Sequence, residues 1–234
     1  MTARKRIVPG GTSAGKTIAI LAWLISYALE NARLEISVIS ETIPHLRRGA
    51  LKDFLKLMNG EGMYTDANYN KSSLTYTFNN KSYIEFFSAD QEMRLTGARR
   101  DILYINEANN VSWEAYHQLA IRTKEIIWID FNPTCEFWVH TELSNDPDAE
   151  TLVLTYLDNE SLAQSIKKDI EVAREKAKDS PYWDNWWRVY GLGQVGKVEG
   201  LIYNNWQQID DKDFPFNQEQ HFAIDWGFTN SPTV

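Results

Sequence analysis

The chain has 234 residues, 43% of them apolar, and a single cysteine, which supports a packed core of one large or two small domains and excludes an internal disulfide framework. The formal net charge of −8 excludes a surface that attracts nucleic acid as a whole, so any DNA contact must come from local basic patches. The most apolar stretch, residues 18–29, is well short of the roughly 20 residues that a membrane span needs, so no membrane association is expected.

Residues 6–9 (RIVP) read as a short strand entering a Gly-rich turn. Residues 16–31 follow as a helix, with Ile18, Ala22, Ile25 and Leu29 on one face. Residues 35–40 (EISVIS) are the next strand, and residues 45–58 are helical, with Leu46, Ala50, Phe54 and Leu57 sharing a face. Residues 74–78 and 83–87 form a hairpin around Asn79-Asn80-Lys81. Residues 102–105 are a short apolar run of the kind that fills a buried parallel sheet. Ser112 caps a helix reaching about Arg122, and residues 125–130 (EIIWID) are another buried strand, stopped by Asn132-Pro133. Strands alternating with helices predict a three-layer α/β domain with a mainly parallel sheet.

The pattern changes after residue 150. Residues 152–156 read as a last strand. Leu162, Ile166, Ile170, Ala173 and Ala177 then mark one face of a long helix. Ser180-Pro181 starts a second, Trp-rich helix, with Pro at its first position. Two helices after a sheet predict a small lid. Gly191, Gly193, Gly196 and Gly200 read as a loose linker, and a last strand covers residues 222–226. The end of the chain at Val234, so soon after that strand, is expected of a truncated domain.

The strongest motif is Gly10-Gly11-Thr12-Ser13-Ala14-Gly15-Lys16-Thr17, which fits G-x-x-x-x-G-K-[ST] between a strand and a helix. Its glycines let successive N–H groups converge on one anion, and the following helix adds a favourable dipole. Lys16 is expected to reach the β- and γ-phosphates of ATP, and the Thr17 hydroxyl to bind Mg²⁺. Hydrolases of this type need a second strand that ends in a carboxylate near the metal, followed by a base for the attacking water. The candidate is Ile102-Leu103-Tyr104-Ile105-Asn106-Glu107. Glu107 is the expected base. Asn106 stands where an acid is expected and is assigned to a metal-bound water; being uncharged, it leaves room for another carboxylate to help. Asn132 is either a sensor of the γ-phosphate or a plain Asn-Pro turn. Asp130, also near a strand end, receives no role. An arginine that meets the charge developing on the γ-phosphate is sought in Arg94, Arg99 and Arg100, with Arg4 and Arg6 as alternatives; any of them is equally read as a solvated or DNA-facing basic residue.

Taken in order, the phosphate loop, VISETIPHLRRGALKDF, RLTGARRDILYINEAN, WIDFNPTCEFWVHTEL, TYLDNESLA and WWRVYGLGQVGKVEGLIYNNW resemble the ATPase half of tailed-phage terminase large subunits over almost the whole chain. The resemblance implies a P-loop NTPase of the RecA-like class: an ATPase core over 1–150, a lid over 151–195, a linker over 196–221, and the first strand of an RNase H-like nuclease over 222–234. Asp225 in AIDWG matches the first metal-binding acid of that nuclease; alone it is an exposed strand-end acid, so DNA cleavage is not expected. The implied cofactors are ATP and Mg²⁺. The implied partners are double-stranded DNA, the portal protein, the small terminase subunit and copies of the chain in a ring, with a monomer in isolation. The implied setting is the cytoplasm of the phage's host. Two departures stand out: Thr12 replaces the Arg that many members carry in the loop, and Asn106 replaces the usual Asp. The short lead before Gly10 implies fewer contacts to adenine. A helicase-like DNA-dependent ATPase and a non-catalytic nucleotide-binding assembly module are the alternative readings.

Overall fold

The apolar runs become strands buried on both faces, as a parallel sheet covered by helices requires. The computed structural model describes residues 1–90 and 99–197. Within them lie β1 (Lys5–Pro9), β2 (Glu35–Ser40), β3 (Tyr69–Asn70), β4 (Thr75–Thr77), β5 (Tyr83–Ser88), β6 (Arg100–Ile105), β7 (Thr123–Phe131) and β8 (Ala149–Thr151). They form one eight-stranded sheet in the order β3-β4-β5-β2-β6-β7-β1-β8. β3, β4 and β5 pair antiparallel; every other pairing is parallel. One strand, β7, lies between β1 and β6. The parallel strands therefore bring the residues after β1, β2, β6 and β7 to one edge, the carboxyl edge, where open α/β sheets bind ligands.

Helices cover both faces. On one lie α1 (Lys16–Glu30), α2 (Ile43–Arg48) and α3 (Ala50–Gly60). Their Leu21, Leu24, Leu46 and Phe54 share a core with Val38, Phe86, Tyr104 and Trp128 of the sheet. Fully burying a side chain such as Leu21 or Leu24 contributes about 1.5–3 kcal/mol. On the other face lie α4 (Trp113–Ala120) and α5 (Trp138–Glu142), around Leu103, Ile105, Ile127 and Ile129. The expected three-layer α/β arrangement with a mainly parallel sheet is the one that forms. A helical segment follows: α6 (Gln164–Lys176), α7 (Pro181–Trp186) and a wider turn over Trp187–Gly191.

Several local expectations change. α1 buries Ile20, Leu21, Leu24, Ile25 and Ala28 rather than the stripe through Ile18 and Leu29, which are 37% and 48% exposed. The helix is apolar almost all round, so period alone does not select its inner face. The helix expected over 45–58 is two, broken at Gly49, and α2 starts earlier, where Thr42 Oγ1 accepts from His45 N–H and Pro44 fits the first turn. The strand expected over 152–156 sits earlier, at Ala149–Thr151, with Leu154 alone bridging to Gly10, and the strand expected over 222–226 lies outside the described residues. Ile166 is exposed, and α6 buries Ile170 and Ala173. Of the glycines read as a loose linker, Gly191, Gly193 and Gly196 are packed, and Gly200 lies outside the described residues. Gly193 lies against Gly10, and Gly196 N–H donates to Pro133 O at 2.9 Å.

Candidate active site

β1 ends at Pro9 and the chain turns through the phosphate loop into α1. Gly15 has φ 78°, a left-handed conformation that suits glycine, and Ser13 adopts φ 58°. A Cβ on Gly11 would lie 2.3 Å from Tyr190 O, so that position tolerates no side chain. Among the described residues, no protein acceptor takes the N–H groups of Ser13 to Ile18. These amides, at a helix N-terminus, form an anion-binding nest. The cleft over them is lined by the loop from Gly11 to Ile18 together with Asp53, Glu107, Asp130, Phe131 and Asn132.

Lys16 is 8% exposed, and its ammonium donates to Gly10 O and Gly11 O at 3.0 Å and to Asn132 Oδ1 at 2.7 Å. Burial lowers its pKa, opposed by the charges of Asp130 and Glu107. The Asn-Pro turn thus holds the lysine through its side chain, which joins Asn132 to the phosphate loop.

β6 delivers Asn106 and Glu107 to the same edge. Glu107 lines the cleft with a left-handed backbone, φ 57° and ψ 57°, and its Oε2 lies 3.1 Å from His45 Nε2. His45 Nδ1 is in turn 3.3 Å from Ser40 Oγ, at the end of β2. Asn106 does not sit as expected for an acceptor of a metal-bound water. Its Nδ2 donates to Asp130 Oδ1 at 3.1 Å, to Tyr104 Oη at 3.3 Å and to Thr17 Oγ1 at 3.4 Å. It presents donors, not an oxygen, toward Thr17.

Asp130, given no role from the sequence, is 2% exposed and lies at the centre of this network. Its Oδ1 accepts from Tyr104 O–H at 3.0 Å, from Asn106 and from Glu107 N–H at 3.1 Å. Burial raises its pKa, countered by Lys16 and by these hydrogen bonds. Burial also pushes the Tyr104 hydroxyl well up, with the Asp130 charge adding to it, so it stays a donor. The sequence signal for Asp130 was an acid at the end of a buried strand. His45 carried none, because its role depends on β2 and β6 being neighbours.

The arginines are the main correction. Arg100 is 1% exposed at the opposite end of β6, where its Nε donates to Ser37 Oγ at 3.0 Å and its guanidinium lies over Phe87. Five residue steps of strand separate it from Ile105, about 17 Å. Arg99 is exposed at that same far end. Arg4 donates to Ala120 O and Thr123 O, and Arg6 lies over Trp23 and Trp128. Among the described residues, no arginine lines the cleft. Arg94 and Asp225 lie outside the described residues. Nor does any group of three or more His, Cys, Asp or Glu stand ready to hold a metal, among the described residues. Nucleotide-bound Mg²⁺ needs less, one or two protein oxygens completed by phosphates and water, and Thr17 beside a buried carboxylate fits that donor set.

The model of the phage terminase large subunit family matches residues 2–194. No curated protein matches the chain. Among solved structures, the large terminase of a thermophilic bacteriophage is similar at 21% identity and TM-score 0.71, over 88% of this chain and 52% of that one. The ADP complex of that same terminase gives 21% identity and TM-score 0.66 over the same shares of the two chains. The large terminase ATPase domain of Thermus phage P74-26 gives 15% identity and TM-score 0.58, over 83% of this chain and 90% of that one. These likenesses establish the RecA-like P-loop fold, and the chain spans about half the length of the first of these terminases. With the family model covering residues 2–194, the chain belongs to the phage terminase large subunit family.

Proposed function

We propose that this chain is the ATP-hydrolysing part of a DNA-packaging motor, which drives double-stranded viral DNA into a procapsid in the cytoplasm of the phage's host. One observation carries the reading: the phosphate loop, Glu107 and Asn132 converge on a single cleft at the carboxyl edge of the sheet. The N–H groups of Ser13 to Ile18 receive the phosphates, and Lys16 leaves Asn132 to reach the β- and γ-oxygens. Thr17 holds nucleotide-bound Mg²⁺, which neutralises charge on the phosphates. Glu107, held by its contact with His45, takes a proton from the attacking water. Release of the Lys16–Asn132 hydrogen bond gives the segment after β7 a way to sense the γ-phosphate. The portal protein, the small terminase subunit and further copies of the chain are the partners this function requires.

The test is phosphate release in the presence of double-stranded DNA. Glu107→Gln is expected to cut turnover roughly 100-fold or more while leaving nucleotide affinity intact, because a general base contributes about that much. Asn106, neutral where an acid is expected, favours a second reading, a nucleotide-binding assembly module without turnover. Wild type no faster than Glu107→Gln, even at high protein concentration, would establish that second reading and end the first.

A further inference from the structure

β7 runs between the phosphate-loop strand and the strand of Glu107. In the ladders, Asp130 is opposite Val8, and Ile129 is opposite Ile105. Asp130 is therefore flanked by the last residues before the phosphate loop on one side and by Asn106 on the other. Alternation along the strands puts Trp128 and Asp130 on the face of Tyr104 and Asn106, the face that α1 covers. One Asn106 nitrogen touches both Asp130 and Thr17, so the carboxylate sits next to the hydroxyl assigned to Mg²⁺.

We propose that Asp130 supplies the metal-facing carboxylate of this site, binding nucleotide-bound Mg²⁺ through its water shell in place of the acid missing at Asn106. The proposal rests on the nucleotide-binding reading above. Three observations carry it. All hydrogen bonds to the carboxylate, among the described residues, fall on Oδ1, and Asp130 lines the cleft, so Oδ2 remains for a ligand. No Lys, Arg or His makes an ion pair with it among the described residues; Lys16, whose charge counters its burial, gives its hydrogens to Gly10, Gly11 and Asn132. A buried charge without such a partner is costly. Lys16 offsets this cost only in part and from outside hydrogen-bonding contact, and a cation beside Thr17, facing the unused Oδ2, would offset it further. Asn106 then acts as a positioning residue, holding Asp130 Oδ1 and Thr17 with one amide.

The experiment measures Mn²⁺ binding to the full chain in the presence of ADP by electron paramagnetic resonance, and ADP binding in EDTA. Asp130→Asn is expected to weaken Mn²⁺ about tenfold or more, the usual effect of losing a metal-orienting group, while ADP binding in EDTA stays unchanged. Asp130→Thr, whose branched side chain suits a strand, should do the same and guards against a folding defect peculiar to the amide. The swap Asn106→Asp with Asp130→Asn should recover Mn²⁺ affinity. Wild-type Mn²⁺ affinity in both single variants overturns the proposal and leaves the nucleotide site standing. Failure of the wild type to bind ADP under either condition overturns both.

Discussion

Glu107 combines two features: a left-handed backbone at a residue with a full side chain, and a carboxylate tied to a side chain of α2, the helix that follows β2. Such a backbone costs on the order of 1–3 kcal/mol and persists where its surroundings fix it. Here the fixing comes from Glu107 N–H on Asp130 and from Oε2 on His45. His45 is thus a positioning residue for the base. His45→Ala is expected to lower kcat about tenfold with ATP affinity unchanged, since misplacing a catalytic group by about 1 Å already costs more than that. His45→Gln, whose amide can also donate, should recover part of the loss. An unchanged kcat in His45→Ala would sink the idea, and a parallel loss of ATP affinity would show that the histidine supports the fold instead. Lys16, Thr17 and Glu107 were legible in the sequence because each belongs to a short motif. His45 and Asp130 were not, because their partners come from neighbouring strands; Asp130 lies 24 residues from Asn106. The arginines misled for the same reason. Arg100 sits close to Glu107 in sequence, but an extended strand carries it to the far end of the sheet.

The phosphate loop is fastened to the segment that follows the sheet. Gly11 N–H donates to Leu154 O at 3.0 Å, Thr12 N–H to Tyr190 O at 2.8 Å, and Asn159 Nδ2 to Ser13 O at 2.8 Å. The first two are backbone bonds that mutation cannot remove cleanly; the third is a side chain. Asn159→Ala is expected to weaken this fastening by about 1 kcal/mol, the net worth of one such hydrogen bond, and hence to speed amide exchange at Gly11 and Thr12 about fivefold. Exchange measured by mass spectrometry on the nucleotide-free chain checks it; unchanged protection would mean that the backbone bonds alone hold the loop. Movement of the loop on nucleotide binding would pass to residues 154–159 and to Tyr190 through these bonds, and this is how a lid would be driven. At this scale the sequence revealed the order and type of most elements through their period. It missed the packing of Gly191, Gly193 and Gly196, because glycines that permit close backbone approach read the same as glycines that loosen a chain.

Across the molecule, the cleft has phosphate donors, a base and a buried carboxylate, and among the described residues it has no arginine. Phosphoryl transfer of this kind gains about 10³–10⁵ in rate from an arginine at the γ-phosphate, supplied in cis or in trans. On the packaging reading, the net charge of −8 would leave one chain a weak holder of DNA, and grip would come from several copies acting together. Both deficits are met if a second copy completes each site in a ring. Turnover per chain is then expected to rise at least about tenfold with protein concentration. Addition of Lys16→Ala chains, which cannot turn over ATP but keep every arginine, should stimulate dilute wild type. A chain supplying its own arginine, Arg94 being the remaining candidate, gives turnover independent of concentration and indifferent to the added variant. Stimulation by Lys16→Ala chains, lost when Arg94 or Arg99 of those chains is also replaced, would assign the donor residue to the neighbouring subunit. That result would also explain why Thr12 can occupy the phosphate loop without an arginine of its own.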